Sequence, residues 1–328
     1  MKKRKLIIDT DPGIDDAFGI LAAMHNPEIE ILGLCAVSGN KSLDVVMKNA
    51  LRLTDFMNQD IPVICGAAGS LAMLQQGKAA KNDAEIFHGK DGMGDSGMAY
   101  SKKNLHSSTA VDFILEKIRE YPHEVEIVAL GPLTNLALAI QKDKDTMKQL
   151  KSLTIMGGSF ERPGNVSDYS EFNIWFDPEA ADIVMRKLAD FVPVTFVGLD
   201  ATHSCQFTLA DLAFLRLEGG KVGQLLAKII HGYADAYYYN SRILGAVIHD
   251  LNTILYCFDS AIATQCKSAR VEIALDEEHH GQTCLVQGIP NANVVMKLDT
   301  YKVKMNFFAL IQPELEKQYN EIMQGIEL

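Results

Sequence analysis

The sequence is short of several things, and each shortage closes a route. Positive charge is scarce: 31 Lys and Arg stand against 42 Asp and Glu, a formal net charge of −11. Phosphate backbones need clustered cations, so nucleic acid is not expected as a partner, although an uncharged molecule carrying a nucleobase still is. No apolar run is long enough to span a bilayer, so no membrane partner is expected. The six cysteines (Cys35, Cys65, Cys205, Cys257, Cys266 and Cys284) are scattered, with no CxxC pair. That pattern predicts reduced, mostly buried thiols rather than a zinc site. The chain starts basic, Met1-Lys2-Lys3-Arg4-Lys5, but Asp9 ends the apolar stretch at once. No secretion signal is expected, and the protein is expected in the cytoplasm.

What is present is ordinary globular material, 48% hydrophobic and 22% charged over 328 residues, enough to bury a full core. Short apolar runs alternate with amphipathic stretches, which predicts an α/β fold: a mainly parallel, open, Rossmann-like sheet flanked by helices. Strands are expected at Lys5–Ile8, Ile29–Val37, Val63–Cys65, Val125–Leu130, Leu153–Met156 and Val194–Leu199. Helices are expected at Ala17–His25 and Leu43–Met57. Asp177-Pro178-Glu179 predicts a helix start, with an Asp cap and Pro at the first position. Two Gly-rich polar segments, about Phe87–Ser107 and Gly157–Ser170, fall where open α/β sheets keep their ligands. Without a repeat or a linker, one domain over 1–328 is expected.

Four carboxylates crowd into Asp9-Thr10-Asp11-Pro12-Gly13-Ile14-Asp15-Asp16, directly after the first strand. Their repulsion needs a cation or hydrogen-bond donors to offset it. A helix N-terminus can accommodate one such acid, hardly all of them. Hard oxygen ligands suit Ca²⁺ or Mg²⁺ rather than zinc or copper. An EF-hand does not fit, because Ile14 and Ile20 stand where Gly and the bidentate Glu belong. An aspartyl-phosphate phosphatase also places Asp-x-Asp after its first strand, but continues with Gly-Thr rather than Pro-Gly-Ile-Asp-Asp.

Asp9-Thr10-Asp11-Pro12-Gly13-Ile14-Asp15-Asp16-Ala17 resembles the N-terminal signature of the inosine-uridine nucleoside hydrolases. The likeness continues in family order through Val37-Ser38-Gly39-Asn40, His88-Gly89-Lys90-Asp91-Gly92-Met93-Gly94 and Leu130-Gly131-Pro132-Leu133-Thr134-Asn135. It runs on through Met156-Gly157-Gly158, Glu171-Phe172-Asn173-Ile174, Asp177-Pro178-Glu179-Ala180 and Val247-Ile248-His249-Asp250. The resemblance implies Ca²⁺-dependent cleavage of ribonucleosides to ribose and free base, in nucleoside salvage, by a homodimer or homotetramer. It implies that Asp11 binds Ca²⁺ and acts as general base on water, that Asp16 and Asp250 chelate the ion, and that the Leu130 carbonyl completes the protein ligands. Gly131-Pro132 divert the chain there, which leaves that carbonyl without a ladder partner. Ribose hydroxyls and a water would fill the rest of the shell.

The sugar pocket implied by the resemblance is Asp15, Asn165, Glu171 and Asn173, with Met156 nearby. Asn40 and Asp9 support the metal-site carboxylates. The departing base leaves best when protonated, which calls for an acid near neutral pKa, and His249 is the candidate. His88 is expected as a base-side contact. Tyr233 and Tyr237, one helical turn apart, line the base pocket, relay protons or simply pack. His279-His280 is read as a solvated pair. Purine-specific relatives stack the base between tryptophans, and the sole Trp175 cannot build that sandwich within this chain. It is read as a core or interface residue, and the substrate as uridine, cytidine or inosine. A phosphatase and a catalytically silent calcium- and ribose-binding protein are the two alternatives.

Overall fold

The computed structural model describes residues 2–81 and 85–325. Its strands are β1 (Arg4–Thr10), β2 (Ile29–Ala36), β3 (Val63–Cys65), β4 (His106–Thr109), β5 (Val125–Ala129), β6 (Ser152–Met156), β7 (Val194–Val197), β8 (Phe207–Thr208), β9 (Gly245–Ala246), β10 (Ala263–Ile273), β11 (Thr283–Val286) and β12 (Ala292–Leu298). Ten of them form one sheet in the order β11-β10-β12-β7-β6-β5-β1-β2-β3-β4. From β12 to β4 every pairing is parallel, and at the other edge β10 runs antiparallel to both its neighbours, β12 and β11. This is the expected α/β architecture with an antiparallel margin that alternation alone did not reveal. Helices cover both faces, and the buried side chains form two apolar clusters.

Winding proceeds from β1 toward β2, β3 and β4 on one side and toward β5, β6 and β7 on the other. The reversal lies between β1 and β5, and a crevice opens at the carboxyl ends of strands at such a switch point. Asp11 follows the end of β1 and Leu130 follows the end of β5. The topology alone therefore delivers the carboxylate cluster to the crevice.

Strand and helix ends differ from the expected ones by a few residues, with identifiable causes. The first helix runs Ile14–His25, starting three residues before the apolar pattern does. The Asp16 carboxylate accepts the Gly13 N–H at 2.9 Å, so the acids belong to its first turn. β7 stops at Val197 because Leu199 already opens the short helix Leu199–Thr202. The segment after His88 is irregular up to β4, and Gly157–Ser170 holds no helix or strand. The cysteines are all free, but only Cys35 and Cys205 are buried and Cys266 is exposed.

The Asp177 cap joins three elements. Asp177 Oδ1 accepts the Ala180 N–H at 3.1 Å, while Oδ2 accepts the Leu71 N–H at 2.9 Å and the Thr134 hydroxyl at 2.6 Å. The residue is fully buried, so removing its carboxylate strands donors that water cannot reach. Asp177→Ala is expected to cost roughly 2–4 kcal/mol, read as a lower urea midpoint. An unchanged midpoint would show that the cap carries no weight.

Candidate active site

The turn between β1 and the first helix presents Asp11, and the helix's first turn presents Asp15 and Asp16; Asp9, Asp11 and Asp16 are fully buried. Asp16 accepts from the Thr10 hydroxyl at 2.5 Å and from Asn40 Nδ2 at 3.3 Å. Asp11 Oδ2 accepts the Asn40 N–H at 2.6 Å. A Cβ on Gly39 would lie 2.2 Å from Asp11 Oδ2, and one on Gly131 would lie 2.4 Å from Oδ1. Both glycines are needed to let the carboxylate in. Asp250 arrives from the helix His249–Phe258, whose backbone packs on Gly19 of the first helix.

Carboxylate oxygens of Asp15, Asp16 and Asp250 all lie within 4.8 Å of one another. Asp11 is not one of these three. Asp11 Oδ1 and Asp15 Oδ1 are buried without a hydrogen-bond partner. Burial pushes Asp11 and Asp250 well above the carboxylate range, and the neighbouring acids push them further. Asp15 is raised to about 8 by burial first and Asp16 second. Unpartnered buried oxygens among mutually repelling acids are what a hard divalent cation satisfies, so the donor set fits one. The Leu130 carbonyl is off the β-ladder as expected, but it is not idle: it accepts Asn173 Nδ2 at 2.7 Å. Its second lone pair is what a cation could use. Asp9 lies deeper, held by Asn135 Nδ2 at 2.9 Å.

Above this cluster opens a cavity of about 530 Å³. Every residue named from the sequence as a catalytic, metal or substrate contact lines it except Asp11 and Asp16. At one end of the cavity, Glu171 caps the short helix Phe172–Phe176. Its Oε1 accepts Asn173 N–H at 2.9 Å, and Oε2 accepts Gly158 and Ile174 N–H at 3.1 and 3.2 Å. Glu171 is therefore first a structural anchor, which its motif spacing did not disclose. Burial raises it to about 7 against the pull of those three donors. Asn173 Nδ2 also donates to the Met156 carbonyl at 3.2 Å. Asn165 Oδ1 takes the Phe172 N–H at 2.9 Å, which leaves its amide N–H groups for a ligand.

On the opposite side, hydroxyls and imidazoles form a chain. Tyr233 lies beside Asp15 and packs edge-on against Tyr237, with ring centroids 5.1 Å apart. Tyr237 Oη lies 2.8 Å from His249 Nε2, and Thr202 Oγ1 lies 2.7 Å from His249 Nδ1. Tyr238 and Tyr239 are exposed, so the helix His231–Ser241 divides its tyrosines between site and solvent. Burial pushes His249 well below 6.5, with the charges of His203, Arg162 and His88 adding to it. The charged form of the ring is thus disfavoured, where a group poised near neutrality was expected. His88 accepts the Ile14 N–H on Nδ1 at 3.1 Å, so its proton sits on Nε2, and burial lowers it to about 3.

Thr202, His203 and Phe87 were not singled out from the sequence. His203 faces His249 at a ring distance of 5.4 Å, and its position just past β7 was the available signal. Trp175 lies outside the cavity and is 37% exposed, so it is neither a base sandwich nor core. His280 reaches its carbonyl at 3.1 Å, and His279 packs on Tyr169 at 4.9 Å. That pair is half-buried support for the loop rather than a solvated tip.

The raised carboxyls set a pH dependence for the cation-free protein. Asp9 and Glu171 titrate near about 7 and Asp15 near about 8, all through burial, whereas the unfolded chain loses these protons near pH 4. Between those values the folded state binds more protons, so stability falls as pH rises. With chelator present, the melting midpoint is expected to be higher at pH 5.5 than at pH 8. Added divalent cation should raise it most at pH 8. Equal midpoints at both pH values would contradict this.

An open parallel sheet with buried acids and a small-molecule cavity at its switch point defines an α/β enzyme acting on a small polar substrate. Residues 6–305 match the family described as inosine-uridine preferring nucleoside hydrolase, and the chain belongs to that family. It is an N-glycosidase, and the phosphatase alternative falls. Uridine nucleosidase 1 of Arabidopsis thaliana is 42% identical over 250 residues, covering 76% of this chain and 72% of the relative. The pyrimidine-specific ribonucleoside hydrolase RihB of Escherichia coli is 29% identical over 305 residues, covering 92% and 94%. The solved structure of a plant nucleoside hydrolase superposes with a TM-score of 0.88 at 33% identity, covering 94% of this chain and 98% of that one. Among the described residues no helix is long and apolar enough to cross a membrane.

Proposed function

We propose that the protein hydrolyses ribonucleosides (uridine, cytidine and inosine) in a Ca²⁺-dependent reaction that serves nucleoside salvage. The observation that carries this reading is the pairing of unpartnered, buried acids with a hydroxyl–imidazole chain across one cavity. Asp11, Asp16, Asp250 and the Leu130 carbonyl would hold the ion, with Asp15 beside them. A divalent cation there offsets the acids and lowers the pKa of a water. An all-oxygen donor set of this kind suits a hard divalent cation, and one that also leaves room for substrate hydroxyls would favour Ca²⁺ over Mg²⁺.

Asp11 takes the proton of the attacking water. Asp15, Asn165, Glu171 and Asn173 surround the ribose, whose developing positive charge their electronegative wall favours. Asn40 holds Asp11 and Asp16 in place. Water's oxygen bonds to the anomeric carbon, the N-glycosidic bond breaks and its electron pair leaves with the base. The departing base takes a proton from the Tyr237 hydroxyl, which His249 Nε2 refills, with Tyr233 alongside, Thr202 fixing the imidazole and His88 on the base side. Solvent restores the chain as Asp11 gives up the water's proton, so no net proton is consumed. Cytoplasmic location agrees with six free thiols, and the assembly is a homodimer or homotetramer. Chelator should stop ribose release and Ca²⁺ should restore it. Full activity after exhaustive chelation would overturn the metal requirement.

A further inference from the structure

Arg162 is the only Lys or Arg among the residues lining the cavity. The backbone on either side of it is tied down. Ser159 Oγ donates to the Arg162 and Pro163 carbonyls at 2.6 and 3.1 Å. Thr283 Oγ1 holds both the Ser159 N–H and its carbonyl, at 3.0 and 2.8 Å. Asp200 accepts the Phe160 and Glu161 N–H groups at 2.8 and 2.9 Å. The guanidinium, by contrast, makes no hydrogen bond or ion pair among the described residues, and the neighbouring Glu161 is engaged by Lys267. Arg162 is exposed at the cavity wall, and its planar fork offers five uncommitted donors to a ligand.

Arg162 shares the cavity wall with His203, Tyr237 and His249, the groups placed on the base side above, and its charge disfavours protonation of both imidazoles. At the other end both Glu171 oxygens are taken by backbone N–H groups. A guanidinium only donates. Uracil and hypoxanthine carry a carbonyl oxygen where cytosine and adenine carry an amino group.

We propose that Arg162 is a specificity-determining residue that selects oxo bases over amino bases by donating to that carbonyl, O4 of uracil or O6 of hypoxanthine. An amino group there sets donor against donor. As the N-glycosidic bond breaks, its electron pair passes to the base nitrogen and spreads onto the same oxygen, where the guanidinium meets it. This assignment rests on the cavity being a ribonucleoside site.

The test is kcat/KM of the metal-loaded wild type, Arg162→Ala and Arg162→Lys for uridine, cytidine, inosine and adenosine, with competitive inhibition by D-ribose measured alongside. In Arg162→Ala, uridine and inosine should lose roughly ten- to a hundredfold, as for a lost charged hydrogen bond. Cytidine and adenosine should change little, so both oxo-to-amino ratios collapse. Arg162→Lys should retain part of the preference, and the ribose inhibition constant should stay put. An active enzyme whose ratios do not move, or that loses all four substrates equally, overturns the assignment alone. A wild type that releases ribose from none of the four overturns the hydrolase reading as well.

Discussion

Asp11→Asn is expected to all but abolish ribose release while making the cation-free protein harder to melt. The first effect follows from the two roles given to this carboxylate, proton acceptor for water and cation ligand. Loss of a general base costs about 10²–10⁴ in rate, and a weakened metal site adds to it. A fall in kcat on the order of 10³ or more is expected. The second effect follows from burial. Asp11 is fully enclosed, has one unpartnered oxygen and faces neighbouring acids that push its pKa upward. A neutral amide removes that repulsion, and sites poised for function are where such strain accumulates. Asn nevertheless keeps an acceptor oxygen for the Asn40 N–H now held at 2.6 Å. Wild-type turnover in this variant, or a lower melting midpoint in chelator, would contradict the account. Asp11→Ala should be equally inactive.

His249→Ala should separate the chemistry from the metal. Its imidazole is held between Thr202 Oγ1 and Tyr237 Oη, at 2.7 and 2.8 Å, and no protein atom replaces it once it is gone. Nucleosides whose base must be protonated on leaving are expected to lose about 10²–10³ in kcat. A riboside whose leaving group departs without a proton should lose far less, and calcium affinity should be unchanged. Tyr237→Phe should follow the same pattern, because it removes the hydroxyl that gives the base its proton. Equal losses on both kinds of substrate would show that His249 merely shapes the cavity.

The fold was legible because its signals are local. Alternating apolar runs gave the parallel strands, and Asp177-Pro178-Glu179 marked its helix correctly. The antiparallel margin of β10 and β11 was not legible, since edge pairing is decided by partners far along the chain. That Asp15, Leu130, Met156, Asn165, Glu171, Asn173 and Asp250 gather at one cavity was legible through the motifs that carry the family resemblance. Their hydrogen bonding was not: Glu171 spends both oxygens on backbone N–H groups, and Asn173 ties the Leu130 carbonyl. The base side was least legible. Arg162 comes from the loop after β6, Thr202 and His203 from the end of the short helix after β7, and only the folded sheet brings them to His249. Burial also reversed one expectation, driving His249 away from neutral pKa.

The central claim is that the buried acids and the Tyr237–His249 pair together cleave an N-ribosyl bond. The most direct test is a reducing-sugar assay over uridine, cytidine and inosine with the intact protein, in Ca²⁺ and after chelation. The account predicts ribose from at least one nucleoside, lost on chelation and regained with Ca²⁺. No ribose from any of the three in Ca²⁺ would contradict it and leave a protein that binds the sugar without turning it over.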